Sequence, residues 1–245
     1  MDLDTKEIAK QIYKFLFENR IEDARNFISD ALMAEKTEKI KITKTPLLNS
    51  IGKELGKLIV HDDWKYERLL QLWNSGRREE QLIVISALGY ISKKNYEDTK
   101  NFVLEIVDSI GDWEICDQMA IRTVVNLVVA NSDEMFSILH NWVTSQHVWT
   151  RRLAIATVPP YIRTAKEDSK RCLDLIEKVM QDSEKDVKKA AGWALREVSK
   201  KDPEAVFEFL RNWAQNDNRH TRWIIKDGMK KLSKEQQNDL LQLLK

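Results

Sequence analysis

Three stretches of this chain set an aromatic ring beside a charge at helical spacing. In "GDWEICDQ", Trp113 and Asp117 are four residues apart, so a helix stacks them one turn above the other. Ala120, Ile121, Val124 and Val128 continue the same side, which puts the Asp117 carboxylate inside an apolar stripe. Such an acid must be paired, hydrogen-bonded or functional, because an unpaired charge is costly to remove from water. An acid held by the free N–H groups of a first turn is the plain alternative. A ring and an acid at this spacing in a cleft would instead hold a cationic ligand between them.

The second stretch is "DVKKAAGWALREVSKK". Val187, Ala190, Ala191, Ala194, Leu195 and Val198 form its apolar stripe, and Trp193 points away from it among Lys189, Arg196 and Lys200. A ring on a basic outer face exposes apolar area unless something covers it. Nucleic acid would cover it, with the ring on sugar or base and the cations on phosphates; a neighbouring helix or loop would do so too. The third is "QHVWTRRLAIATVPP", where Trp149 and Arg152 share a face, Arg151 points elsewhere, and Pro159 and Pro160 end the helix. An ordinary surface arginine is the alternative for either Arg.

Helices must position these residues. Apolar residues recur every three or four positions along most of the 245 residues, as at Ile8, Ile12, Phe15 and Leu16. That pattern predicts about a dozen helices with brief polar joints. The best strand candidate is the short "KIKIT" at 39–43. Segments opening at residues 75, 111, 145, 183 and 216 share one plan: a polar joint, an amphipathic helix with small residues mid-way, then a second helix. Recurrence at 33–38 residues reads as an all-α, HEAT-like helical-repeat solenoid, in which stacked units supply a shared core. We expect a single HEAT-like repeat domain over residues 1–245.

Composition excludes several classes. The 40 basic and 39 acidic residues leave a net charge of +1, too little to hold nucleic acid or a membrane by bulk charge. Residues 1–139 sum to −5 and residues 140–245 to +6, so the second half carries the positive field. Seven Gly and four Pro are too few for a β-sandwich or a glycine-loop nucleotide fold. No dinucleotide, phosphate-loop, HExxH or paired CxxC motif is present. His61, His140, His147 and His220 are scattered, so no zinc site is expected. Cys116 and Cys172 make no disulfide framework and suit a reducing compartment, with Cys116 a small buried residue rather than a nucleophile. No apolar run reaches membrane-span length, and the start at Met1-Asp2-Leu3-Asp4 lacks signal-peptide features, so a cytoplasmic protein is expected.

The same stretches resemble the AlkD-like family of DNA alkylation-repair proteins, which are DNA glycosylases built from HEAT-like repeats. "DVKKAAGWALREVSKKDP" at 186–203 is similar to that family's "KAIGW-LREYSK--P" signature, and "VWTRR" at 148–152 to its W-x-R-R segment. "WEICD" at 113–117 matches its W-x-x-x-D pair, and "TPLLNSIGKELGKL" at 45–58 a weaker N-terminal element. The resemblance implies that Asp117 is the catalytic carboxylate, that Trp113 and Trp193 contact the lesion's deoxyribose, and that Arg152 holds the adjacent phosphate. It makes Arg196 a backbone contact, and Trp149, Arg151, Lys189 and Lys200 join it as candidate DNA-binding residues. It implies excision of cationic N3- and N7-alkylated purines from duplex DNA without base flipping, by a monomer with no metal, no organic cofactor and no membrane partner. The chain departs from the family's W-W-D-x-V-D pattern, having Glu114 and Cys116 between its Trp and Asp, and the loop with Pro159 and Pro160 reads as long. The competing reading is a non-catalytic HEAT-like scaffold that binds DNA or a protein partner.

Overall fold

A computed structural model describes residues 4–33, 43–164 and 168–244. The described residues form helices and no strand, as the periodicity predicts; the strand candidate at 39–43 falls, but for Thr43, outside them. The chain divides into two compact units. Unit 1 comprises Met1–Val107 and Arg122–Ala130, and unit 2 comprises Asp108–Ile121 and Asn131–Lys245.

Unit 1 contains α1 (Thr5–Phe17), α2 (Ile21–Met33), α3 (Thr45–Ile59), α4 (Lys65–Trp73), α5 (Arg78–Ile91) and α6 (Tyr96–Ile106). Helices α1, α3 and α5 pack in succession as one row, with α2, α4 and α6 as a second. The close α3–α5 approach has a cause in sequence. Gly52 and Gly56 lie one turn apart, and a Cβ on them would sit 2.3 Å from the Ile83 carbonyl oxygen and 2.7 Å from that of Ala87. The "TPLLNSIGKELGKL" element is therefore a packing element: Pro46 sits in its first turn and Leu48, Ile51, Leu55 and Ile59 are fully buried.

Unit 2 opens with α7 (Trp113–Met119); a π-helical turn over Ala120–Val124 and α8 (Val125–Ala130) follow it in the chain. Then come α9 (Ser132–Trp142), α10 (Val148–Ala156), α11 (Val158–Thr164), α12 (Ser169–Glu177), α13 (Lys185–Ser199), α14 (Pro203–Trp213), α15 (Arg219–Gly228) and α16 (Lys234–Leu243). Helices α7, α10, α13 and α15 pack in succession, and α12, α14 and α16 form a second row. The five repeat starts read from sequence fall two or three residues ahead of α5, α7, α10, α13 and α15.

Two local expectations change. Pro159 and Pro160 do not sit in a loop; α10 stops at Ala156 and the prolines form the first turn of α11. Their missing N–H groups are redundant at a helix start, whereas inside α10 they would leave carbonyls without donors. The even stripe from Trp113 to Val128 is also interrupted. The π turn adds a residue, so Ala120, Val124 and Val128 are buried while Ile121 is 38% exposed.

A candidate active site on helices 7, 10 and 13

Helix α7 is capped by Asp112, whose Oδ1 accepts hydrogen bonds from the backbone N–H of Glu114 at 2.7 Å and of Ile115 at 3.1 Å. Capping is thereby assigned to Asp112, and Asp117 is left with another partner. Arg152 of α10 donates from Nε to Asp117 Oδ1 at 3.0 Å and from Nη2 to Oδ2 at 2.8 Å, a two-pronged fork that fixes the plane of the carboxylate. The remaining guanidinium nitrogen, Nη1, donates to the Asp186 carbonyl at 2.6 Å in the first turn of α13. One arginine, only 6% exposed, thus ties α7, α10 and α13 together.

Burial pushes the Asp117 carboxyl up; Arg152 pulls it back, Asp186 and Asp112 add to the rise, and the net position is above its ordinary value. The fork occupies one lone pair on each oxygen, so each keeps a second acceptor site. Asp117 is an oriented carboxylate that still accepts.

Trp113 is the first residue of α7 and is 59% exposed, so its ring stands out of the first turn. Trp149 is half-buried, and its carbonyl accepts a 3.6 Å contact from Cys116 Sγ. Cys116 is fully buried and burial holds its thiol well above the usual range, so it is a protonated core residue as expected. Among the described residues no three His, Cys, Asp or Glu side chains group as metal ligands. Trp193 is half-buried on α13, seven residues after Asp186 and so on the same face, about 10 Å further along the axis. Direct side-chain contact joins Asp117 and Arg152; Trp193 is linked to them through α13.

The basic face expected around Trp193 is a face of ion pairs instead. Lys189 lies 3.7 Å from Asp186, Arg196 binds Asp227 of α15, and Lys200 pairs with Glu197. Two of these acids stand three residues before their lysines and were visible in the sequence; Asp227 arrives from another repeat. Gly192 makes room for it, since a Cβ there would lie 2.1 Å from Asp227 Oδ2. Arg151 also faces inward to partners, donating to Asp182 at 2.7 Å and to the Ser145 and Gln146 carbonyls.

AlkD2 from Streptococcus mutans is similar in structure, with a TM-score of 0.66 and 19% identity, over 85% of this chain and 99% of that one. The Pseudomonas fluorescens alkylpurine DNA glycosylase AlkC, bound to DNA containing an abasic site analog, has a TM-score of 0.64 and 18% identity, over 98% of this chain and 66% of that one. At such identities these two establish a shared fold. No curated protein matches the chain. The family described as DNA alkylation repair enzyme matches over residues 17–232, a span that contains α7, α10, α13 and α15. The chain belongs to the family of DNA alkylation repair enzymes.

Proposed function

We propose that this protein is a DNA glycosylase that releases cationic N3- and N7-alkylated purines from duplex DNA by hydrolysing the N-glycosidic bond, without base flipping. The observation that carries the reading is the Asp117 carboxylate, held in plane by Arg152 and one turn from the exposed ring of Trp113. The proposal rests on family membership and on chemistry suited to that arrangement. An alkylated purine is positively charged and departs as a neutral base, taking the bond's electron pair, so no strong general acid is required. Positive charge grows on the deoxyribose as the bond lengthens. A fixed carboxylate and two π faces, Trp113 and Trp193, stabilise it. Water adds its oxygen to C1′, and Asp117 takes up the departing proton.

Arg152 positions the carboxylate in this scheme. Its three present acceptors, the two Asp117 oxygens and the Asp186 carbonyl, take three of its five N–H groups, and one N–H on each of Nη1 and Nη2 is left to meet the phosphate beside the lesion. The proposed partner is duplex DNA carrying alkylated bases, and the enzyme acts as a monomer in the cytoplasm with no metal or organic cofactor. Among the described residues no helix is long and apolar enough to cross a membrane.

The deciding experiment compares release of 7-methylguanine and 3-methyladenine from methylated duplex DNA by the wild type and Asp117→Asn. We expect release by the wild type and a fall of about 30- to 1000-fold in the variant, as for other single electrostatic groups of 2–4 kcal/mol. Background release by both proteins would overturn catalysis and leave a DNA-binding scaffold. Equal, substantial release by both would remove Asp117 from the mechanism.

A further inference from the structure

A group of basic side chains on α15 and the first turn of α13 lies outside the residues assigned so far. Arg219, Trp223 and Lys226 stand at i, i+4 and i+7 on α15, and all three are exposed, Trp223 by 42%. The opposite side of α15, with Thr221, Ile225 and Gly228, is buried. Lys188 of α13 joins the exposed stripe, with its Nζ 5.8 Å from the centre of the Trp223 ring and 3.0 Å from His220 Nδ1. Arg219 Nε is 3.4 Å from the other imidazole nitrogen of His220.

That arrangement is chemically incomplete. A neutral imidazole has one acceptor nitrogen, so it satisfies Lys188 or Arg219 but not both. Local desolvation, Lys188 and Arg219 hold His220 below its ordinary range, while Asp182 opposes them weakly. Asp182, the acid that faces His220, is already engaged by Arg151. Two cations therefore converge on one imidazole next to an exposed ring, and an anionic oxygen would satisfy both.

We propose that Lys188, Arg219 and Lys226, with Trp223 against the sugar, form a phosphodiester-binding patch that grips the DNA backbone beside the Asp117 site. Helix α13 carries a residue of each: Arg152 binds the Asp186 carbonyl, and Lys188, two residues later and about 200° around the helix, meets His220 and Trp223 of α15. Charge complementarity selects the occupant, since a row of cations flanking an aromatic suits a repeating phosphate–sugar chain. The inference rests on the DNA reading above.

The test measures affinity for an undamaged labelled duplex against salt concentration, for wild type, Lys188→Ala/Arg219→Ala and Trp223→Ala. All three positions are exposed or half-buried at the surface, and melting curves check that each variant folds. Each phosphate contact contributes about −0.9 to the slope of log affinity on log salt, so the double variant should flatten the slope by about 1.8. Trp223→Ala should weaken binding on the order of tenfold and leave the slope unchanged. A double variant with the wild-type slope and affinity would overturn the patch while leaving DNA binding intact. A wild type with no measurable affinity for DNA would overturn both the patch and the reading beneath it.

Discussion

At the residue scale, Asp117 combines two demands that usually conflict. It is desolvated enough to be raised above its ordinary value, yet two prongs of Arg152 hold it. In the proposed mechanism the ionised form stabilises a cationic sugar, so activity should be present above the folded-state pKa and lost as pH falls through it. Because that pKa is raised, the acidic limb of kcat/KM should lie at higher pH than an ordinary carboxylate would give. A bound cationic purine favours the ionised form, so the limb in kcat should sit at lower pH than the limb in kcat/KM. Coincident limbs at the position of an unperturbed carboxylate would contradict this. Arg152→Lys keeps the charge but loses the fork, and it should lower excision by about tenfold or more while Asp117 remains present. Retained full activity would remove Arg152 from positioning. The acid and its ring were legible as a helical i, i+4 pair, but their partner was not. Arg152 is 35 residues away, and only packing of α7 on α10 brings it to Asp117.

At the element scale, glycines set how closely neighbouring helices approach. A Cβ at Gly52 would meet the Ile83 carbonyl, which is backbone and cannot yield. At Gly192 the obstacle is the Asp227 side chain, pinned by Arg196 and Lys230 but able to shift. Gly111 has nothing within 4 Å. Thermal melts should rank the alanine variants accordingly: Gly52→Ala worst, by about 3 kcal/mol, Gly192→Ala intermediate at about 1–2 kcal/mol, and Gly111→Ala within about 0.5 kcal/mol of wild type. A Gly192→Ala protein as stable as wild type would mean that α15 does not rest on α13 in the manner described. The helices and repeat register were readable because each first helix buries a stripe at 3.6-residue spacing. The π turn after α7 was not, because a spacing rule carries no signal for one inserted residue. The prolines signalled a break, yet whether they close one helix or open the next depends on the packing of α11 on α13.

At the scale of the whole molecule, the charge asymmetry seen along the sequence disappears once the chain is folded. Unit 1 holds 19 basic and 18 acidic residues and unit 2 holds 21 of each, because the acid-rich stretch at 108–121 and 131–139 belongs to unit 2. Neither unit offers a bulk positive field, and many of the basic side chains of unit 2 are tied to acids. Attraction to DNA therefore has to come from a few local cations. For a handful of phosphate contacts the wild-type salt slope should be about −3 to −5, with dissociation constants for undamaged duplex in the micromolar range or weaker at physiological salt. Anisotropy titrations between low and physiological salt measure both. A slope near −10 would require about eleven phosphate contacts, far more than a local patch of three or four cations supplies. Weak holding of undamaged DNA suits an enzyme that must leave normal duplex quickly. On the proposed mechanism selectivity then falls to the lesion itself, whose positive charge would bring the Asp117 carboxylate into play only where a cationic base is bound.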